Sequence, residues 1–253
     1  MKAGFALYRN VLQDATNQPT GGETLTDDDT ANRWFPVSGE TLEYTNIPAT
    51  LITHVGVAAH NLGSTGNSLV VESFDGSSWF ELVTITAAHD QSVIFSVPST
   101  TTTGLRIKAQ GNETELGIVY IGEPLQMERP IYQGHTPGRF SDNNTLIVKN
   151  TGGGQYAGNQ LRRAGRSTNI SLENLTPQWV RNKFEPFRQH YNKGGRFFYS
   201  WRPDKFSDEV AYARGSGTIT PTNAGPRDLM SLSFDVVEYR QTHRPDMIKA
   251  SAT

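Results

Sequence analysis

Four groups of residues have types and spacings that chemistry could use. Asp27, Asp28 and Asp29 are consecutive carboxylates, hard oxygen donors of the kind Ca²⁺ takes. Metal loops alternate their ligands, so a solvated acidic turn is the simpler reading. Arg162, Arg163 and Arg166 could grip phosphates. No aromatic residues interleave them, so an assembly loop that pairs at a surface or subunit interface fits better than specific nucleic-acid binding. Trp79 and Phe80 follow an Asp75-Gly76 turn. Aromatic residues there either stack on a glycan or fill a core, since one of two adjacent strand residues faces inward. The 6 histidines are scattered and form no His-x-x-x-His or His-Glu-x-x-His pair, so a zinc site has little support. His54 and His60 flank an apolar strand and read as a hydrogen-bonded strand end and a turn.

Other chemistries are missing their signatures. There is no Gly-x-Ser-x-Gly elbow and no Gly-Lys-Ser/Thr phosphate loop. Gly152-Gly153-Gly154 lacks a following Lys and reads as a flexible loop. A carboxylate pair for glycoside hydrolysis is defined by its separation in space, and nothing in the sequence nominates one. The expectation is therefore a non-enzyme with no catalytic residue, no cofactor and no metal. With no Cys there is no disulfide framework and no thiolate ligand. Met1–Asn10 lacks a basic region followed by an apolar run, and no stretch approaches the ~18 apolar residues of a membrane span. Neither a signal peptide nor membrane insertion is expected.

The elements that must position these residues are mostly strands. Charged residues are only 19% of the chain and the polar remainder is Gly, Thr, Ser and Asn, the profile of many strands and turns. Leu51–Ala59 is β-branched and apolar and ends at a polar turn, His60-Asn61-Leu62-Gly63. Ser68–Phe74 and Ser78–Ile85 flank Asp75-Gly76, which supplies the positive φ a hairpin needs. Gln91–Val97 reads as a strand closed by Pro98, and Thr100–Thr103 as a loop. Leu105–Ala109 and Leu116–Ile121 are expected to pair around Gly111-Asn112. Short strands at this spacing predict a β-sandwich.

Residues 1–125 carry 5 Lys+Arg against 14 Asp+Glu, and residues 126–253 carry 18 against 11. Charges of −9 and +7 suggest two units that could attract each other head to tail in an oligomer. In the second unit Thr145–Lys149 reads as a short strand and Thr151–Ser167 as a long, mobile, basic loop or hairpin. One helix is predicted near 176–192, with Thr176 as cap, Pro177 at the first position and Gly194-Gly195 at the end. Val180, Phe184, Phe187 and Tyr191 share its buried face. Pro186 should kink or split it. Arg196–Trp201 and Leu229–Tyr239 read as long strands.

Leu51–Gly63, with Leu69–Ser73 and the run Ser73-Phe74-Asp75-Gly76-Ser77-Ser78-Trp79, resembles a discoidin-like, galactose-binding-type jelly roll over residues 30–125. Gly122-Glu123-Pro124-Leu125, the segment Phe197–Phe206 and the final strand ending at Val236–Arg240 resemble structural tail proteins of long-tailed bacteriophages, of the distal-tail or minor-tail (baseplate) kind. The resemblance implies a virion protein assembled in the host cytoplasm: a homo-oligomeric ring that links the tail tube to the host-recognition apparatus. Its partners would be tube and tail-tip or hub proteins. The organisation expected is an extended segment at 1–29, the sandwich at 30–125, a β-rich belt-like assembly domain at 126–240 and a polar tail at 241–253. The alternative is a carbohydrate-binding, lectin-like module that recognises host surface glycans.

Overall fold

The computed structural model describes residues 3–20, 22–131, 134–225 and 228–239. The expected tail at 241–253, and His243 within it, lie outside them. The fold is mostly β, a jelly-roll sandwich joined to a second β-rich unit with one main helix. No helix among the described residues is long and apolar enough to cross a membrane.

The chain starts in the second unit. Strand β1 (Phe5–Leu7), expected to be part of an extended segment, lies in the large sheet between β9 (Leu125–Gln126) and β12 (Arg196–Ser200). The sandwich is thus inserted between two neighbouring strands of that sheet. Its outer layer is β2 (Thr41–Tyr44), β7 (Gly104–Gln110), β4 (Ser68–Phe74) and β5 (Trp79–Thr86), in that order. Its inner layer is β6 (Val93–Thr102), β3 (Thr50–His60) and β8 (Leu116–Gly122).

Three local expectations are corrected here. β7 and β8 do not pair with each other; β7 joins β2 and β4, while β8 joins β3. The Gly111-Asn112 turn carries the chain from one layer to the other, because each strand has an apolar face to bury against the opposite sheet. Thr100–Thr103 is not a loop, since β6 runs through Pro98 to Thr102. β6 is an edge strand, and a register shift between Ile52 and His54 of its partner accommodates the missing N–H. His60–Gly63 leads into a short helix, Leu62–Thr65, rather than a plain turn.

Within the inner layer, β8 and the second half of β3 are buried on both faces. Val119 and Ile121 of β8 join Val55 and Val57 of β3 in the sandwich core. The alternate residues Ile118 and Tyr120 turn the other way, onto Phe198 and Tyr212 of the large sheet. Period-two alternation delivers each set to its own layer. Gly56 is required by this close approach: a Cβ there would stand 3.0 Å from the Phe198 ring.

The large sheet is completed by β10 (Asp142–Asn150), β11 (Tyr156–Leu175), β13 (Val210–Gly215), β14 (Thr222–Asn223) and β15 (Met230–Glu238), in the order β10-β11-β15-β13-β12-β1-β9 with β14 beside β15. Its far face packs on the helix through Phe197, Phe234 and Ile170, against Val180, Phe184, Phe187 and Tyr191. Thr176 caps that helix, its Oγ1 accepting from the Trp179 N–H at 3.3 Å. Pro186 does not split it. A π-helical stretch, Val180–Phe184, precedes Glu185–Asn192, so Pro186 sits in what is effectively a new first turn, where no N–H is needed. The basic segment expected as a loop or hairpin is the second strand of a long hairpin, an extended ribbon. β11 is 20 residues long, its second half is in the sheet beside β15, and its first half leaves the body paired only with β10.

Candidate functional site

β13 and β15 are paired only over Ala213–Gly215 and Val236–Glu238. Where β15 ends beside the first residues of β13 lies a cleft of about 300 Å³, walled by the second unit and closed by His89, Gln91 and Ser92 of the sandwich. Three strands deliver its polar groups: Tyr199 from β12, Arg166 from β11 and Glu238 from β15. Glu209 comes from the loop before β13, and Arg139 from a short 3-10 helix, Gly138–Phe140.

The electrostatics of the cleft are uneven. Burial raises the Glu238 carboxyl to about 7; Arg166 opposes the shift, and Asp142 and Glu209 add to it. Arg166 is itself paired with Asp142 at 2.7 Å. Glu209 accepts from the Trp201 indole N–H at 2.6 Å. The Trp201 ring stacks on Phe206 at 5.4 Å and meets His135 at 5.2 Å, so its flanks are already occupied. Burial also pushes His135 below its ordinary value. The Tyr199 hydroxyl is buried, with its residue 4% exposed, and has no hydrogen-bond partner. The His89 Nδ1 is likewise unpartnered. Such buried polar atoms are uncommon, and each asks for an explanation.

Of the residues singled out by sequence, Arg166 lines this cleft and the aromatic pair lies elsewhere. Trp79 and Phe80 point to opposite faces of β5, so they cannot act as one contact. Trp79 stands on the outer face beside Phe74, ring centroids 5.1 Å apart, with the Arg106 guanidinium 4.2 Å over its ring. A shallow groove next to it is lined by Glu43, Thr45, Asn46 and Thr103. Phe80 pairs with the buried Ser73 and is 38% exposed at the open edge of the sandwich. The hairpin between them turns on Asp75, whose carboxylate accepts from the Ser77 and Ser78 N–H groups, each at 2.8 Å; these bonds hold it at about 2.

Of the three arginines, Arg162 lies exposed on the β10–β11 ribbon, and Arg166 is at the ribbon's base and lines the cleft. The Arg163 backbone pairs with Asn144, and its side chain lies outside the described residues. Arg162 and Arg166 thus lie in different settings, one on the exposed ribbon and one in the cleft wall.

The acidic triplet is more than a solvated turn. Asp27 and Asp29 accept from backbone N–H groups of their own loop. Asp28, at φ 63°, accepts from the hydroxyls of Tyr120 and Tyr212, and so ties the sandwich to the large sheet. No cluster of three metal-ligating side chains occurs among the described residues. His60 is neutral: its Nδ1 accepts from the Leu62 N–H, so Nε2 donates to the Gln91 carbonyl, and burial lowers it to about 4.

Sequence reasoning missed the cleft. Its members lie on β11, β12, β15 and intervening loops, and only β pairing across the second unit joins them. Two of its members lay in features marked in the sequence, Arg166 in the arginine group and Trp201 in the 197–206 segment, but nothing local joined them.

No family model and no curated protein matches the chain. Several solved structures are similar to part of it. The CBM32 module of AlyQ, in complex with 4,5-unsaturated mannuronic acid, is 20% identical over 42% of this chain and 90% of that chain, with a TM-score of 0.35. A CBM32 module of CpGH89 from Clostridium perfringens, in complex with GalNAc-β-1,3-galactose, is 10% identical over 40% and 83%, with a TM-score of 0.34. A chitosan-binding module from a chitosanase/glucanase of Paenibacillus sp. IK-5 is 12% identical over 46% and 99%, with a TM-score of 0.36. These neighbours are carbohydrate-binding modules. At such identity and TM-score the likeness bears on neither ligand nor activity.

Proposed function

We propose that the protein is a structural subunit of a bacteriophage tail tip, assembling with copies of itself into a ring between the tail tube and the host-recognition apparatus. The observation that carries self-assembly is the β10–β11 ribbon. All nine residues of β10 are exposed. Leu146, Ile147, Val148, Tyr156 and Leu161 on the ribbon are 42–65% exposed. Leu146 lies directly opposite Leu161, so these two and Val148 form an apolar stripe on one face. A two-stranded ribbon alone in water is marginally stable. It needs a surface to lie on, and its own body does not supply one.

Charge favours another copy as that surface. Arg162 and Lys149 occupy the opposite face of the ribbon, and the half of the chain bearing the sandwich carries −9. A basic arm reaching an acidic neighbour is a head-to-tail contact, and such contacts close into rings when the rotation permits. The tail-tip setting, and tube and hub proteins as partners, are supported by the resemblance of the 197–206 segment and the final strand to distal-tail proteins. The insertion of the sandwich into the large sheet agrees with a belt that carries a peripheral module.

Native mass spectrometry on the whole chain and on a chain with 143–165 replaced by a short Gly-Ser link tests this. The expected result is an oligomer for the first and a folded monomer for the second. A whole chain that stays monomeric, alone and with purified tail tubes, would falsify the proposal.

A second reading concerns the sandwich alone, as a glycan-recognition module. The favouring observation is the groove beside Trp79, where an aromatic pair adjoins exposed polar side chains. The carbohydrate-binding neighbours agree with it but, at their scores, add no weight. Glycan-array binding that disappears in Trp79→Ala with the fold intact is expected if it holds; array binding indifferent to that change would remove Trp79 as the contact.

A further inference from the structure

We infer that the cleft between the two units is a binding site for a small neutral polyhydroxylated ligand, a single sugar residue or a comparable polyol. The site is separate from the Trp79 groove and from the ribbon, and it goes beyond both readings above.

The first observation is the Tyr199 hydroxyl. It is buried in a wall of the cleft without a partner. A polar atom left unpaired in the interior is costly, and in native proteins it usually marks an unseen water, a ligand or a functional role. The second observation is the wall around it. Arg139 and Arg166 supply donors, and Asp208 and Glu209 supply acceptors, two charges of each sign. The buried Glu238 carboxyl, held near 7, both donates and accepts around neutral pH. An anionic ligand would be repelled by Asp208, Glu209 and the partly ionised Glu238, and a cationic one by Arg139 and Arg166. A neutral ring of hydroxyls would satisfy donors and acceptors alike.

Size and shape agree. A volume of about 300 Å³ is at the small end of ligand pockets, which suits about one sugar ring rather than a chain. Val210 and Ala211 give an apolar side for the carbon skeleton. Trp201 offers no stacking face, because Phe206 and His135 lie against it. Recognition here would therefore run through hydrogen bonds.

The test uses the full chain with D-galactose, D-glucose and N-acetyl-D-glucosamine as probes and D-glucuronate as the charged control, read by saturation-transfer NMR and calorimetry at pH 7. At least one neutral sugar is expected to bind saturably and more tightly than glucuronate. Tyr199→Phe removes only an oxygen that nothing in the protein holds, so Tm is expected to stay level or rise, while binding weakens about tenfold. Arg139→Ala, in the short 3-10 helix beside the cleft, is the second variant should Tyr199→Phe misfold, with the same expected loss. Trp79→Ala is expected to leave this binding unchanged. No saturable binding by any probe overturns the inference. So does binding unaffected by both cleft variants, binding lost in Trp79→Ala instead, or a preference for glucuronate. None of these outcomes depends on whether the chain forms a ring.

Discussion

The inner layer of the sandwich and the β10–β11 ribbon are built from the same material and meet opposite fates. Both carry consecutive large apolar residues, Ile118 to Ile121 in β8 and Leu146 to Val148 in β10. Every residue of β8 is buried, its two faces taken by the outer layer and by Phe198 and Tyr212. Every residue of β10 is exposed. One surface found its partner within the chain, and the other did not. The contrast separates what holds the subunit together from what it offers to others, and each half of it can be broken by substitution.

The largest effect is expected at the seam between the units. Phe198 is fully buried against Tyr120, Tyr212 and Gly56. Phe198→Ala is expected to cost ~3–5 kcal/mol in denaturant unfolding, the range for deleting a buried aromatic ring. A loss below ~1 kcal/mol would mean that the inner layer does not depend on the large sheet.

Next is the cleft beside that seam, where the effect has a pH signature. Glu238 is raised from 4.5 to about 7 in the folded state. Between those values the folded protein keeps a proton that the unfolded chain releases. The stability Glu238 contributes is therefore full below pH 4.5 and lost as pH rises through 7. Glu238→Gln removes the term. The variant and the parent should match near pH 4.5, and the variant should become more stable by up to ~3 kcal/mol by pH 8. His60, lowered from 6.5 to about 4, acts in the opposite direction as pH falls through that window. It is present in both proteins and cancels in the difference. A gap that does not change with pH would show that Glu238 titrates normally.

Gly56→Ala presses on the seam from the sandwich side. The added methyl meets the face of the Phe198 ring at 3.0 Å, and a packed layer gives way poorly. A loss of ~1–3 kcal/mol is expected in the same unfolding measurement. Combining it with Phe198→Ala should recover most of that loss, because the ring that obstructs the methyl is gone. Simple additivity of the two losses would place the strain somewhere other than Phe198.

How much of this was legible depends on the distance between the residues concerned. The Asp75-Gly76 hairpin and the helix face Val180-Phe184-Phe187-Tyr191 are local, and their turn chemistry and 3.6-residue spacing stand in the sequence. The partner choice of β7 and β8 is not local. β7 alternates, with Arg106 and Lys108 between Leu105, Ile107 and Ala109, whereas β8 is apolar throughout, the pattern of a strand buried on both faces; the shared Gly-Asn turn was read ahead of that difference. Phe5–Leu7 has three residues, too few to show a period, and its partners are about 120 and 190 positions away. Tyr199, Glu209 and Glu238 are far apart in sequence and no local pattern joins them; they meet only where β15 ends beside the first residues of β13. The ribbon lay between these extremes. Its basic composition and glycines were visible, but its length came from β11 continuing out of the sheet.

The smallest effect on stability tests the other side of the comparison. Leu146 and Leu161 face each other on the ribbon at 56% and 49% exposure. In the isolated subunit they bury little, so replacing both with Ser removes little from the folded state. Surface changes of this kind usually stay within ~0.5 kcal/mol. Leu146→Ser with Leu161→Ser is expected to leave monomer unfolding unchanged within that margin and to abolish the oligomer seen by mass spectrometry. The same chemical change in β8, at Ile118, would unfold the protein. If the ribbon pair destabilises the monomer as much as a core substitution does, the stripe is already covered by the subunit's own chain and is not free for a neighbour. If stability and oligomer both survive, the ribbon's apolar face is not the contact, and the basic face with Arg162 and Lys149 becomes the one to remove.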